Sequence, residues 1–159
     1  MKIVSSSELS KHLMTDFFAM HWGSPEMVIS SGIFRCDELD GYAAVDGSGE
    51  IIGYITYVIH GKDCEIIPLD SIIEKKGVGT ALLHQVEETA KHAHCHQIKL
   101  ITTNDNVHAM AFYQKRGYQF AALFPNAVEK ARRLKPEIPE KADNGILIRD
   151  EILFSKVID

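Results

Sequence analysis

The sequence is poor in cysteine and has no long apolar run, and both absences narrow the class of protein. The three cysteines, Cys36, Cys64 and Cys95, are odd in number and widely spaced, so they indicate no disulfide framework. No stretch approaches the roughly 18 consecutive apolar residues of a membrane-spanning helix. The first residues also lack the apolar run of a secretory leader. We therefore expect a cytoplasmic protein with reduced thiols.

The sequence also lacks an excess of positive charge. Acidic residues number 22 against 17 lysines and arginines, which gives a formal net charge of −5. Binding to a nucleic-acid backbone needs a basic face, so this balance argues against a nucleic-acid partner. A small anionic ligand is not excluded, because a few local groups can hold it.

The chain length and composition suit one compact domain. The sequence has 159 residues, of which 45% are apolar and 25% charged, and it contains no internal repeat. These values are ordinary for a globular protein with a sizeable core. We expect a single domain over residues 1–159.

The segment SSELSKHLMTDFFAMHW predicts a leading helix. Its apolar residues recur at helical spacing, and Ser6 or Ser7 is a suitable N-cap. The residues expected on one face are Leu9, Leu13, Phe17 and Met20.

After this helix, the pattern predicts a β-hairpin and then strands and helices in alternation. The hairpin is expected in GYAAVDGSGEIIGYITYVIH, with its turn over Asp46–Gly49. Pro68 interrupts the next β-prone run and marks an edge or a bulge, because proline cannot donate a ladder hydrogen bond. Such an alternation indicates a mixed sheet with helices on both faces. The later elements are expected in CEIIPLDSI, TALLHQVEETAKHA, IKLITT, NVHAMAFYQKRG, YQFAALF, NAVEKARRLK and GILIRDEILFSKVI.

Two glycines stand one residue apart where the second predicted helix begins, in EKKGVGTALL. Glycines at a helix start let the unpaired backbone N–H groups approach an anion, so Gly77 and Gly79 suit a phosphate cradle. A tight strand-to-helix turn is the alternative, and the spacing alone leaves both open. The P-loop motif is absent, and Leu82 stands where a dinucleotide fingerprint has its third glycine.

A second motif, NDNVHAMAFYQKRGY, places Asn106, Ala109, Tyr113 and Gly117 at offsets of three, seven and eleven. Together with LDSIIEKKGVGTALL it resembles the GNAT acyltransferase superfamily, whose members bind acyl-coenzyme A. The phosphate loop of that family reads Q/R-x-x-G-x-G/A after its fourth strand. Its later motif reads approximately N-x-x-A-x-x-x-Y-x-x-x-G-F/Y. The resemblance covers residues 41–118.

The resemblance implies an α/β fold of the GNAT type. This fold has a mixed, mostly antiparallel sheet of about six or seven strands with about four helices, and it is splayed between its fourth and fifth strands. The core would span residues 41–124, and a C-terminal extension over 125–159 would complete the sheet. The implied co-substrate is acetyl-CoA, and the implied partner is an amine acceptor.

The resemblance also implies which residues hold the coenzyme. They lie at the end of the fourth strand, in the glycine loop and in the later motif. The set is Leu69, Asp70, Ser71, Lys75, Lys76, Gly77, Val78, Gly79, Thr80, Asn106, Ala109 and Tyr113. One position departs from the family, since Glu74 replaces a neutral or basic residue. Neighbouring lysines would offset this acid.

Three residues have implied chemical roles. Leu69 is the candidate for the backbone N–H that polarises the thioester carbonyl, because Pro68 predicts a bulge just before it. Tyr113 aligns with the tyrosine that protonates the leaving thiolate. Its alternative is a core aromatic, a role that Phe112 fits better. Asn106 aligns with the asparagine that hydrogen-bonds the coenzyme near its pantetheine arm, and it also suits a helix N-cap.

The family resemblance suggests two candidates for a general base. Asp63 aligns with the acid that some members use, and Glu65 lies two residues on, hence on the same strand face. Either could act through a water molecule, or both could be solvated carboxylates at a strand end.

Three other groups of residues have side chains suited to binding. The segment HAHCH, with His92, His94, Cys95 and His96, matches no usual zinc spacing, so no metal is expected. Arg132, Arg133 and Arg149 suit either an acidic acceptor or solvated surface positions. His21 and Trp22 are placed on the acceptor side by family geometry.

The sequence therefore predicts an acetyl-CoA-dependent N-acetyltransferase that acts by direct attack in a ternary complex. No covalent acyl-enzyme is expected, because neither Cys64 nor Cys95 has an activating neighbour in the sequence. The expected acceptor is a small-molecule primary amine, with a protein or peptide amine as the alternative. A non-catalytic acyl-CoA-binding module is the alternative from another class. Homodimers are common in the family, but no segment specifies an interface.

Overall fold

A computed structural model describes residues 1–22, 24, 26–71 and 77–158, with the side chains of Trp22 and of residues 68–71 outside the description. The chain divides into two compact units. The first comprises residues 1–27, 34–98 and 158–159, and the second comprises residues 28–33 and 99–157. The prediction of a single domain stays a prediction.

The described residues form four α-helices and nine β-strands. The helices are α1 (Lys11–Trp22), α2 (Val78–His92), α3 (Val107–Lys115) and α4 (Ala127–Leu134). The strands are β1 (Lys2–Ser5), β2 (Glu26–Ile29), β3 (Gly32–Arg35), β4 (Asp40–Val45), β5 (Ile51–His60), β6 (Asp63–Ser71), β7 (Gln97–Thr103), β8 (Gln119–Phe124) and β9 (Glu151–Val157).

Seven of these strands form one mixed, mostly antiparallel sheet in the order β1-β4-β5-β6-β7-β9-β8, and β2 pairs with β3 in a separate hairpin. The predicted sheet of six or seven strands with about four helices is confirmed. The sequence pattern does not reveal β1, β2 or β3, because four residues are too few for a periodic signal. No helix in the described ranges is long and apolar enough to cross a membrane.

The start of α1 is later than predicted. Residues Ser6–Glu8 form a 3-10 helix, and α1 begins at Lys11. Its first turn is capped by Ser10, whose Oγ accepts a hydrogen bond from the N–H of Leu13 at 3.1 Å. The expected N-cap at Ser6 or Ser7 is therefore wrong.

The buried face of α1 also differs from the predicted one. Met14, Phe17 and Phe18 are buried, whereas Leu13 and Met20 are 42% and 79% exposed. The predicted stripe assumes a helix that already includes Leu9. Because α1 starts after that residue, its orientation is set by the aromatic side chains that pack on the sheet.

We expect Ser10→Ala to lower the free energy of unfolding by about 1 kcal/mol, because the N–H of Leu13 loses its acceptor. Ser7→Ala is the matched control. It removes an exposed hydroxyl that contacts the Ser5 hydroxyl at 3.0 Å, and it should cost less than about 0.5 kcal/mol. Urea denaturation measures both variants, and equal losses would contradict the observed cap.

In the first unit, α1 and α2 cover opposite faces of the sheet. Tyr54 lies on the α1 face, with its ring centroid 6.0 Å from that of Phe17 and 5.0 Å from that of Phe18. Tyr42 pairs with Ile55, the residue after Tyr54. Because successive side chains of a strand point to opposite faces, Tyr42 lies on the other face of the sheet. There its hydroxyl lies 2.7 Å from the Thr89 hydroxyl of α2. The core is therefore two apolar layers separated by the sheet.

The remaining predicted elements of the first unit agree with the structure. The hairpin turn Asp46–Gly49 joins β4 to β5, with the N–H of Gly49 donating to the Asp46 carbonyl at 3.1 Å. Leu82, Val86 and Ala90 are buried along α2, whereas the next residue of that stripe, Ala93, lies beyond the helix.

The backbones of β4 and β5 approach each other closely at Gly41. A Cβ on Gly41 would overlap the carbonyl oxygen of Ile55 in β5.

In the second unit, α3 packs on β8 and β9. Phe154 is fully buried, and its ring centroid lies 6.2 Å from that of Tyr113 and 4.8 Å from that of Phe120. The last strand begins at Glu151, so the prediction of a strand from residue 145 is wrong for its first six residues. The Glu151 carboxylate is 1% exposed and accepts the N–H of Ser30 at 2.9 Å, which ties the turn between β2 and β3 to β9.

Candidate active site

The bulge predicted at Pro68 is present in β6. Ile66 pairs with Tyr57 of β5, but Leu69 pairs with Ile55, so two residues of β6 oppose Thr56 alone. One of those two residues is Pro68, which has no N–H to donate. The bulge therefore lies immediately before the residue proposed to polarise the thioester.

At the end of β6, the structure describes the backbone of residues 68–71 and not their side chains. Leu69, Asp70 and Ser71 pair with residues 55, 54 and 53 of β5, which keeps this segment in the sheet. The role of the Leu69 amide stays a prediction. Lys75 and Lys76, like Glu74, lie outside the described residues.

The start of α2 has the backbone form that a glycine permits. Gly77 is the N-cap residue with φ 75° and ψ 9°, a left-handed conformation that other residues adopt at a cost. Among the described residues, a Cβ there would meet nothing within 4 Å, so the requirement seen in this part of the chain is conformational. Its carbonyl accepts the N–H of Ala81 at 3.0 Å, which starts the helix. The N–H groups of Val78, Gly79 and Thr80 then precede the first helical donor, and such groups bind anions.

The motif on α3 begins with a helix cap. Asn106 is the N-cap residue, and its Oδ1 accepts the N–H of Ala109 at 3.1 Å. The capping alternative is therefore confirmed, and it uses only the oxygen of the side chain. The Asn106 amide nitrogen is left for a second partner, so the two roles are compatible.

Tyr113 combines a buried ring with a hydroxyl that has no hydrogen-bond partner among the described residues. The residue is 5% exposed, and its ring packs against Tyr118 and Phe154 with centroids 5.5 and 6.2 Å away. Burial raises the pKa of Tyr113 above its usual value, so the hydroxyl stays protonated near neutral pH. This hydroxyl makes no hydrogen bond within the described ranges of the chain.

Phe112 does not take the core position that the sequence favours for it. It is half-buried, and the guanidinium carbon of Arg116 lies 3.6 Å from its ring centroid. The expectation that Phe112 fits the core better than Tyr113 is therefore wrong.

The two candidate bases lie on one face of β6 in different settings. Asp63 is the first residue of the strand, and its Oδ1 accepts a hydrogen bond from the Gln97 side chain at 2.9 Å. Glu65 is 5% exposed, so it is not an ordinary solvated carboxylate. At about 3.3 Å per residue along a strand, Asp63 lies about 20 Å from Leu69, and Glu65 lies about 13 Å from it. Glu65 is thus the nearer of the two to Leu69, and the choice of base stays a prediction.

The histidine-rich segment forms the end of α2 and the connection to β7. The ring of His92 contacts the Glu88 carbonyl at 2.8 Å, which is a helix-end interaction. Within the described ranges, no group of three potential ligands could hold a metal ion. Burial also raises the pKa of the Cys64 thiol to about 12 and raises that of Cys95, which disfavours the nucleophilic thiolate.

Arg132, Arg133 and Arg149 line one cavity of about 450 Å³ in the second unit, together with Glu129 and Glu140. Each guanidinium already has partners. Arg132 donates to three backbone carbonyls, Arg133 contacts the Glu129 carboxylate at 3.6 Å, and Arg149 donates to the neighbouring Asp150 carboxylate at 3.1 Å. The cavity thus has little uncompensated positive charge for an acidic acceptor.

The predicted site residues fall into two groups, one in each unit. The bulge and the start of α2 belong to the first unit, and Asn106, Ala109 and Tyr113 belong to the second. His21, at the end of α1, is exposed, and its ring centroid lies 4.5 Å from that of Phe17. The side chain of its neighbour Trp22 is outside the description.

Comparison with known proteins identifies the family. The model of the acetyltransferase (GNAT) family matches residues 7–118, and the chain belongs to this family. The uncharacterised protein YdhI of Bacillus subtilis (strain 168) is 80% identical over 159 residues, which is 100% of this chain and 99% of that protein.

Solved structures agree with this assignment. An IAA acetyltransferase from Bacillus cereus ATCC 14579 superposes with a TM-score of 0.71 at 23% identity, over 98% of this chain and 99% of that one. A GNAT family acetyltransferase from Elizabethkingia anophelis, with acetyl-CoA bound, has a TM-score of 0.63 at 25% identity, over 75% of this chain and 76% of that one. The predicted GNAT fold is confirmed.

Proposed function

We propose that the protein transfers the acetyl group of acetyl-CoA to a primary amine of a small molecule, by direct attack in a ternary complex. The observation that carries this proposal is Tyr113, a buried, protonated tyrosine whose hydroxyl has no partner within the described ranges. A module that only binds the coenzyme has no use for such a group. The related acetyltransferase with acetyl-CoA bound supports the choice of co-substrate.

Acetyl-CoA suits the residues at the start of α2 and at the cap of α3. The phosphates would lie at the start of α2, at the N–H groups of Val78 and Gly79, which follow the left-handed Gly77. Lys75 and Lys76 would add positive charge and offset Glu74. The pantetheine arm would contact the amide nitrogen of Asn106.

The reaction requires a neutral amine and a proton for the departing thiolate. An alkylamine with a pKa near 10.4 is neutral in only about one molecule in a few thousand at pH 7, so a base assists. The amine nitrogen attacks the thioester carbonyl carbon while the N–H of Leu69 stabilises the oxygen. The C–S bond then breaks, and the Tyr113 hydroxyl gives its proton to the sulfur. The attacking amine loses a proton to the base. Return of this proton to the Tyr113 oxygen restores the protein to its starting state.

Glu65 is our choice for that base, since it is buried and lies nearer to Leu69 than Asp63 does. We expect Glu65→Gln to lower kcat/KM at pH 7 by about 10²-fold. Raising the pH should restore part of the rate, because more of the amine is then neutral without help. Steady-state kinetics from about pH 6 to about pH 10 test this expectation. A larger loss in Asp63→Asn, measured in parallel, would reverse the assignment.

The function is tested first by calorimetric titration with acetyl-CoA and then by release of free thiol with a panel of amines. The panel contains small polyamines and amino sugars beside peptides with free N-termini or lysines. Thiol release with the small amines supports the proposal, and release only with peptides would replace the acceptor class. Binding without release for any amine would favour a non-catalytic module.

A further inference from the structure

The loop Asn104–Asn106 joins β7 to α3 and carries the asparagine that caps α3. It follows the last residue of β7, and the N–H of Asn106 donates back to the Thr103 carbonyl at 3.1 Å. The position of the Asn106 side chain therefore depends on how firmly this short loop is held.

Asn104 fastens the loop to the segment that precedes β9. Its Oδ1 accepts the N–H of Arg149 and the N–H of Asp150, each at 2.9 Å. Its Nδ2 donates to the Leu147 carbonyl at 2.9 Å, and its backbone N–H donates to the Asp150 carbonyl at 3.0 Å. One residue thus makes four hydrogen bonds to the backbone of residues 147–150.

The segment that Asn104 contacts is itself held in place. The Asp150 carboxylate accepts the N–H of Asn126 at 2.8 Å and the side chain of Arg149 at 3.1 Å. These hydrogen bonds, with the Arg149 charge, hold the pKa of Asp150 below its usual value. Asp150 therefore stays ionised at neutral pH and links the start of α4 to the same backbone.

A second, weaker contact joins the loop to this segment. The side chain of Asn144 donates to the Asp105 carbonyl at 2.9 Å, and Asn144 is exposed. This contact involves one hydrogen bond, whereas Asn104 makes four. The two residues form a natural pair of test and control.

We propose that Asn104 is a positioning residue for the pantetheine arm of the coenzyme. It fixes the backbone of the loop so that Asn106 caps α3 and presents its amide nitrogen in one orientation. This inference rests on the proposed function, since it assumes that the coenzyme arm contacts Asn106. It assigns to residues 144–150 a task in coenzyme binding, although none of them needs to touch the coenzyme.

The test compares two ligands that differ only in the pantetheine arm: CoA and 3′-phosphoadenosine 5′-diphosphate. In Asn104→Ala, the dissociation constant of CoA should rise about tenfold, while that of the nucleotide should stay within about twofold. Asn144→Ala should leave both within about twofold. Hydrogen exchange of the amides of residues 106–110 should accelerate in Asn104→Ala and not in Asn144→Ala.

The outcomes separate the inference from the proposed function. Equal weakening of both ligands, or no weakening of CoA, would overturn the role of Asn104, as would weaker CoA binding without faster exchange at residues 106–110. If Asn104→Ala does not fold, Asn104→Asp takes its place, because a carboxylate still accepts the N–H groups of Arg149 and Asp150. In Asn104→Asp, the dissociation constant of CoA should rise by less than in Asn104→Ala, and that of the nucleotide should not change. An unchanged dissociation constant for CoA would overturn the inference. Failure of the unchanged protein to bind CoA would instead overturn the proposed function.

Discussion

Replacing Tyr113 with phenylalanine is expected to lower kcat by about 10²- to 10⁴-fold, while the dissociation constant of CoA stays within about twofold. Phenylalanine keeps the ring that packs against Tyr118 and Phe154, so the fold and the coenzyme site should persist. What is lost is the O–H that we propose as the proton donor to the thiolate. Stopped assays of thiol release and calorimetric titration with CoA measure the two quantities separately.

The matched control is Tyr118→Phe. It makes the same chemical change in a neighbouring ring, whose centroid lies 5.5 Å from that of Tyr113. We place Tyr118 outside the site, so its variant should keep kcat within about threefold of the unchanged protein. If both variants lose the same rate, the effect comes from packing of the aromatic cluster, and Tyr113 is not the acid.

Gly41→Ala is expected to lower the free energy of unfolding by about 3 kcal/mol or more. The new Cβ would overlap the carbonyl oxygen of Ile55 and lie 3.2 Å from both Cα and Cγ2 of Thr56. Backbone atoms of a central strand cannot turn aside as a flexible side chain can. The pairing of β4 with β5 must therefore shift as a whole.

This variant should also slow the reaction. Thr56 is the residue of β5 that faces the bulge of β6, so a shift of β5 is passed to the backbone before Leu69. The control is Gly47→Ala in the hairpin turn, where a Cβ would meet nothing within 4 Å and stability should change by less than about 0.5 kcal/mol. Urea denaturation measures both, and a similar small change in the two variants would show that β4 relaxes without cost.

The predictions that agree with the structure depend on local chemistry. Pro68 lacks an N–H wherever it stands in a strand, so its bulge can be inferred from the sequence. The β-prone runs on either side of the turn Asp46–Gly49 mark β4 and β5, and the helical spacing of Leu82, Val86 and Ala90 marks the buried side of α2. In each case the signal and its cause lie within a few residues of each other.

The predictions that are wrong depend on contacts between distant residues. Phe112 and Tyr113 are neighbours on α3, and only the positions of β8 and β9 decide which of them is buried. The face of α1 is likewise set by Tyr54 of β5 and not by its own spacing. The four hydrogen bonds of Asn104 also join residues more than 40 positions apart, so no local sequence pattern predicts them.

The order β7-β9-β8 has a consequence for how the chain assembles during synthesis. Strand β9 is synthesised after both of its neighbours, yet it lies between them in the sheet and pairs with β8. Its residue Glu151 also holds the turn at Ser30, which is synthesised more than a hundred residues before it. Because such distant pairings form slowly, the second unit is completed only after β9 has been synthesised and has paired with its neighbours. A chain stopped short of β9 would leave the backbone of β8 without its partner strand and Tyr113 without the Phe154 ring, and would be a natural target for chaperones and proteases.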